Sequence, residues 1–199
     1  MRIAIKATPQ QKEEWLSKQI SPDIELIWVE TNIPDADAYF DLSFEESGSA
    51  FPEIKDKSVF ANAVIKISDE LPHNFSRINA WNGFLKREVV EVVLKDQAAM
   101  VLETIGFKYH QVPDVPGMIA ARTIAMIINE AYFALGDDVS SKQDIDTAMK
   151  LGTNYPFGPF EWSEKIGLHN IYRLLKKLGE TDNRYEVAPA LEQELKTIA

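Results

Sequence analysis

Apolar and polar residues alternate over Arg2–Ala7, which predicts a strand. Thr8-Pro9-Gln10-Gln11 then reads as a helix start, with Thr8 as N-cap, Pro9 at the first helical position and Gln11 completing a capping box. That helix is expected to run to about Gln19. Ile24–Glu30 (IELIWVE) is rich in β-branched and aromatic residues and predicts a second strand. Ala38–Leu42, Val59–Ile67, Ile78–Phe84 and Val89–Leu94 are further strand candidates, and Tyr109–Val112 a last short one. A helix is expected over Gln97–Ile105. Strands and helices in turn predict an α/β sheet, mostly parallel.

The pattern changes at Val112-Pro113-Asp114-Val115-Pro116-Gly117, where two prolines interrupt regular structure. Beyond it only helical periodicity remains. Met118–Leu135 is apolar almost all round, which predicts burial on several sides. Ser140-Ser141-Lys142-Gln143 reads as a capping box for a helix with Ile145, Ala148, Met149 and Leu151 inward and Gly152 as its C-terminal cap. Helices over Phe160–Lys165, Leu168–Leu178 and Ala188–Ile198 follow. An α/β domain is therefore expected at 1–112 and an all-helical domain at 113–199.

Composition narrows the chemistry. The chain of 199 residues has no Cys, so disulfides, thiolate catalysis and Cys-based metal sites are excluded, and no metal site is expected. A net charge of −10 repels phosphate backbones and argues against nucleic-acid binding. An anionic ligand would need a local basic patch. MRIAIKATPQQKEEW lacks the pattern of a signal peptide, and no run reaches the ~18 apolar residues of a membrane span. A cytoplasmic protein without a membrane partner is expected.

The most distinctive stretch is PDVPGMIAARTIAMIINEAYFALGDDVSSKQDIDTAMKLGTNYPFGPFEW, residues 113–162. It resembles the C-terminal domain of the 3-hydroxyacyl-CoA dehydrogenase family. The resemblance implies a fold: a Rossmann-like domain, here shortened, followed by an all-helical domain of the 6-phosphogluconate-dehydrogenase-C-terminal-like kind. It also implies NAD as cofactor, a site between the two domains, and a homodimer formed through the long helices. In the sheet half, Arg2–Ala7 sits where the first strand belongs, ADAYFDL (36–42) resembles the strand ending near the cofactor, and Arg77–Glu91 resembles the segment carrying the catalytic histidine and its partner glutamate.

Set against that pattern, the chain departs at each functional position but one. A dinucleotide turn needs glycines after the first strand. Here the turn is Ala7-Thr8-Pro9-Gln10-Gln11, the first glycine is Gly48, and Pro9 has no N–H to donate. Glu30 stands where the family holds a ribose and is read as a solvated strand end. The family's general base falls at Asn79, its serine near Val64 and its asparagine at Ala121. An amide cannot serve as a base near neutral pH, as an imidazole can. Only the glutamate remains, as Glu91, whose structural alternative is a half-exposed strand acid paired with Arg87 or Arg122.

The other candidates read as structural. His73, His110 and His169 show no ligand spacing. Asn129 and Glu130 read as helix packing, and Arg173, Lys176 and Lys177 as a solvated basic face. Tyr155-Pro156-Phe157-Gly158-Pro159-Phe160 is read as a rigid turn, with Gly158 supplying a positive φ. Trp81, two residues from Asn79, could fill space that a substrate needs. The leading expectation is a family member without NAD binding or dehydrogenase activity, serving as an acyl-CoA-binding or partner-binding dimer. An active oxidoreductase on 3-hydroxyacyl-CoA with an altered site and a purely structural interaction module are the alternatives.

Overall fold

The computed structural model describes residues 1–95 and 97–198, so Asp96 and Ala199, the last residue of the expected helical domain, lie outside the described residues. The chain divides into two compact units, Met1–Met118 and Ile119–Ala199.

The first unit holds a sheet of seven strands among the described residues: β1 (Arg2–Lys6), β2 (Glu25–Trp28), β3 (Ala38–Asp41), β4 (Ser58–Ala61), β5 (Phe75–Ile78), β6 (Val89–Val93) and β7 (Lys108–Gln111). Their order is β2-β1-β3-β4-β5-β6-β7. All pairings are parallel except β5 with β6. Both faces are covered, as parallel sheets require. On one face Ile3, Ile5, Phe40 and Phe60 meet Trp15 of α1 (Pro9–Leu16) and Leu102 of α3 (Ala98–Ile105). Phe40 stacks on Phe60 with ring centroids 4.4 Å apart, and Trp15 meets Phe40 edge-on at 4.8 Å. On the other face Ala4, Tyr39 and Val59 pack with Phe44 of the one-turn helix α2 (Phe44–Ser47) and with Phe51.

Two strands differ from expectation. β4 ends at Ala61, not Ile67, because the Ala63 amide turns back onto the Ala61 carbonyl at 2.7 Å. β5 lies at Phe75–Ile78, not Ile78–Phe84. Residues 79–87 are spent on turns: the Phe84 amide bonds Trp81, the Arg87 amide bonds Phe84, and Gly83 has φ +94°.

One buried charge organises the end of this unit. Arg77 of β5 is fully buried. Its guanidinium donates to the carbonyls of Ala63, Val64 and Val115 at 2.8–3.1 Å and to the Asp114 carboxylate at 2.6 Å. Asp114 also accepts from the Ser68 amide. Burial alone would raise the Asp114 carboxyl, but the hydrogen bonds from Arg77 and Ser68 outweigh it and hold it below its ordinary value. Gly117, at φ +79°, completes the join by donating to the Val64 carbonyl. Residues 113–117 are thus held by the sheet unit.

At the end of β3, Asp41 is buried. Burial pushes its carboxyl up to about 6, although the Ala50 amide and Ser43 hydroxyl donate to it.

The second unit packs α6 (Pro159–Ile166), α7 (Leu168–Gly179) and α8 (Pro189–Ile198) against the long α4 (Ala120–Gly136), with α5 (Lys142–Thr153) against α6. Buried Asn129 of α4 bonds the Glu186 carbonyl and the Ala188 amide, and Arg122 donates to the Tyr185 hydroxyl. The N-cap of α5 is Ser141, partnered by Asp144, rather than Ser140 with Gln143. Its C-cap is Asn154 in the left-handed region, not Gly152. Ala148 and Leu151, expected inward, are exposed, and the buried residue of this helix is Asp146. Its carboxylate accepts the Phe160 and Glu161 amides at 2.8 and 3.2 Å and so caps α6. Gly158 has φ −73°, so positive φ is not its role. A Cβ there would lie 2.3 Å from Asp146 Oδ1 and 2.5 Å from its Cα, and glycine is needed for that approach.

Three outcomes follow. Gly158→Ala destabilises the chain by roughly 2–4 kcal/mol, from overpacking and a displaced cap; chemical denaturation that shows no loss would sink this role. Arg77→Met takes the guanidinium from the Ala63, Val64 and Val115 carbonyls and from the Asp114 carboxylate, leaving Val64 to Gly117, Val115 to Met118 and Asp114 to Ser68, and costs roughly 3–5 kcal/mol in the same measurement. Asp41 binds its proton more tightly folded than unfolded, so it lowers stability as pH rises from about 4 through about 6, by at most about 3 kcal/mol. Asp41→Asn therefore gains on the native chain across that window and holds the gain above it. A difference between the two that does not change with pH would refute the assignment.

Candidate functional site

The antiparallel β5–β6 pair brings Asn79 opposite Glu91. The register pairs Ile78 with Val92, and the next rung is closed by the Asn79 amide on the Glu91 carbonyl at 2.9 Å. The side chains meet as well: Asn79 Nδ2 donates to Glu91 Oε2 at 3.3 Å. Val90 and Val92 point into the core, which places Glu91 on the opposite face, half-buried. Asn79 is thus a partner of Glu91 that the sequence did not offer. Asn79 is 1% exposed, and its Oδ1 has no hydrogen-bond partner among the described residues. Trp81 is as deeply buried and leaves its indole N–H in the same condition. The pair can offer an acceptor and a carboxylate. It offers no imidazole, and an amide neither takes nor stores a proton near neutral pH.

The β1–α1 turn lies where a doubly wound sheet holds a dinucleotide. The strand order reverses between β1 and β3, which in doubly wound sheets marks the ligand crevice. Thr8 and Gln11 form the expected capping box, Thr8 Oγ1 accepting the Gln11 amide and Gln11 Oε1 accepting the Thr8 amide. Gln11 does more than cap. It is 1% exposed, and its Nε2 donates to the carbonyls of Leu42, past the end of β3, at 2.6 Å and of Ala80 at 3.1 Å. One turn on, Glu14 accepts the Gly83 amide at 2.6 Å and the Lys86 amide at 3.3 Å. Asn62, after β4, bonds the same Leu42 carbonyl and the Ala80 amide. Side chains of this protein fill the place where the backbone of a dinucleotide turn meets pyrophosphate. With Pro9 lacking an N–H as well, the residues present do not fit that cofactor.

Val64 is buried, and its carbonyl is taken by Arg77 and Gly117. Ala121 is buried in α4 of the second unit. Glu30 is exposed, with its carbonyl accepting from Lys6. His73 lies in the turn before β5, His110 in exposed β7 and His169 in the first turn of α7. Among the described residues no group of His, Asp and Glu could hold a metal ion, and no helix is long and apolar enough to cross a membrane. Sequence reasoning missed Gln11 as a bridging residue, along with Glu14, Asn62 and Asp41. Polar residues at i and i+3 of a short helix whose mate at i+4 is a core Trp gave the available signal.

Residues 117–197 match the family model described as 3-hydroxyacyl-CoA dehydrogenase, C-terminal domain. The chain is 46% identical over 99 residues to the 3-hydroxyadipyl-CoA dehydrogenase of Escherichia coli (strain K12), a match covering 49% of this chain and 21% of that protein. It is 29% identical over 146 residues to the 3-hydroxybutyryl-CoA dehydrogenase of Bradyrhizobium diazoefficiens, covering 68% of this chain and 50% of that protein. The chain thus spans half or less of the length of these relatives. Among solved structures, the (S)-3-hydroxybutyryl-CoA dehydrogenase from Ralstonia eutropha superposes with a TM-score of 0.69 at 16% identity, over 98% of this chain and 93% of that one. At such identity the likeness shows the fold alone. The mostly parallel sheet unit is Rossmann-like in fold, residues 117–197 match the 3-hydroxyacyl-CoA dehydrogenase C-terminal domain, and the chain is similar in sequence to 3-hydroxyacyl-CoA dehydrogenases.

Proposed function

We propose that this chain is a 3-hydroxyacyl-CoA dehydrogenase-like protein of acyl-CoA metabolism that neither binds NAD nor transfers hydride. It acts in the cytoplasm as a homodimer that holds an acyl-CoA or a protein partner. The observation that carries the reading is the Asn79–Glu91 pair: the hydrogen bond to the carboxylate is kept while the proton acceptor is gone. Gln11, bonded across the crevice to Leu42 and Ala80, supports the loss of the cofactor. The half-buried apolar residues Ile124, Ile127 and Phe133 of α4 support a partner copy on that helix.

A missing general base costs on the order of 10²–10⁴-fold in rate, before any loss of cofactor binding. The chain, supplied with NAD and 3-hydroxybutyryl-CoA, should therefore form no NADH above background. NAD should leave tryptophan fluorescence without a saturable change, while acetoacetyl-CoA should saturate it. Asn79→His should not restore turnover, since Gln11 still fills the crevice. Turnover by the native chain would overturn the reading in favour of an active oxidoreductase with an altered site. Silence toward every acyl-CoA would favour a structural module.

A further inference from the structure

Against the net charge of −10, the sheet unit carries a cluster of cations. Three segments of the sheet unit meet at a cavity of about 380 Å³: the end of α1, the turn between β5 and β6, and the link from α3 to β7. They bring Lys18, Lys86, Arg87 and Lys108 together around it, with Glu88 the acid among the lining residues and Phe107 as its apolar wall. It shares no lining residue with the Asn79–Glu91 pair.

The charges are not spent on one another. Glu88 pairs with Lys108 at 2.5 Å, and both side chains are largely exposed. Lys18 has no carboxylate partner among the described residues. Its ammonium donates to the Arg87 carbonyl at 2.6 Å and sits 4.8 Å above the Phe107 ring. Arg87 packs over Phe84 and has no carboxylate partner among the described residues either. A half-buried ammonium held by a carbonyl and a ring face is fixed in place while its charge stays unneutralised, and its lowered pKa follows from that burial. A planar guanidinium beside it offers forked donors that match phosphoryl oxygens. The cavity falls in the range of small-molecule sites.

We propose that this cleft is a binding site for a phosphoryl-bearing anion, with Lys18 and Arg87 as its principal contacts and Lys108 as a third cation released from Glu88 on binding. Multiple charge is needed because three cations converge and one acid must be displaced. The source is either an inorganic polyphosphate or the phosphate end of a nucleotide-like molecule, since Phe107 adds an apolar wall beside the cations.

Amide resonances of the full chain, titrated with pyrophosphate, ADP and malonate, test the site. Pyrophosphate or ADP should shift Ser17, Gly106 and Lys108 saturably, and added salt should weaken the effect. Tighter binding of ADP assigns a nucleotide-like source; equal or tighter binding of pyrophosphate assigns an inorganic one. Arg87→Gln and Lys108→Gln alter exposed side chains and should leave the fold intact, and each should weaken binding about tenfold, 1.4 kcal/mol. Lys18→Met should weaken it further, with circular dichroism checking the fold. No saturable shift at these residues, undiminished binding in the Arg87 and Lys108 variants, or equal binding of malonate would each overturn the proposal.

Discussion

The constraint on which the sheet unit depends is the satisfaction of backbone groups beyond the strand ends, and α1 supplies it with side chains. A buried amide or carbonyl left without a partner costs about 1–3 kcal/mol. The segment 79–87 turns repeatedly and exposes such groups at Ala80, Gly83 and Lys86. Gln11 and Glu14, one turn apart on the same face of α1, take all three, and Gln11 takes Leu42 as well. Trp15, next along the helix, buries its ring between Phe40 and Phe107. An eight-residue helix is too short to hold itself together in water. This one is held by its polar face as much as by its apolar one.

That arrangement has a chemical consequence. A dinucleotide turn works because glycine removes side chains where backbone must approach phosphate. Here the same space carries an amide that cross-links the helix to two chain segments. Removing Gln11 to admit a ligand would leave the Leu42 carbonyl to Asn62 alone and the Ala80 carbonyl without its Gln11 donor. The side chain that closes the crevice is also the one that stabilises its walls, so fold and cofactor compete for the same position.

The elements legible in the sequence were those whose pattern follows from burial alone. The alternation of Arg2–Ala7, the Thr8–Gln11 capping box, the VVEVV strand and the apolar excess of α4 all read directly. The failures fall where a polar residue is buried by a specific partner. β5 was placed three residues late because FSRI carries Arg77 at a core position, and a pattern reading treats arginine as exposed. The inner side of α5 was misassigned because Asp146 faces inward to cap α6, which left Ala148 and Leu151 outward. Gly158 invited a positive φ, whereas its need is for close approach to that same aspartate. For the site, Asn79 and Glu91 were legible as residues. Their mutual hydrogen bond was not, since it depends on the antiparallel register of β5 and β6.

That register also bears on what the Asn79 position does. Asn79 and Glu91 share one bond, and the same segment holds two buried polar atoms, Asn79 Oδ1 and Trp81 Nε1, that no described group satisfies. At about 1–3 kcal/mol each, these are large against a total stability of about 5–15 kcal/mol. One is an acceptor and the other a donor, two residues apart on one segment. Trp15 Nε1 and Ser68 Oγ carry the same condition in the packed interior, so the cost at Asn79 and Trp81 belongs to how this unit buries its polar side chains.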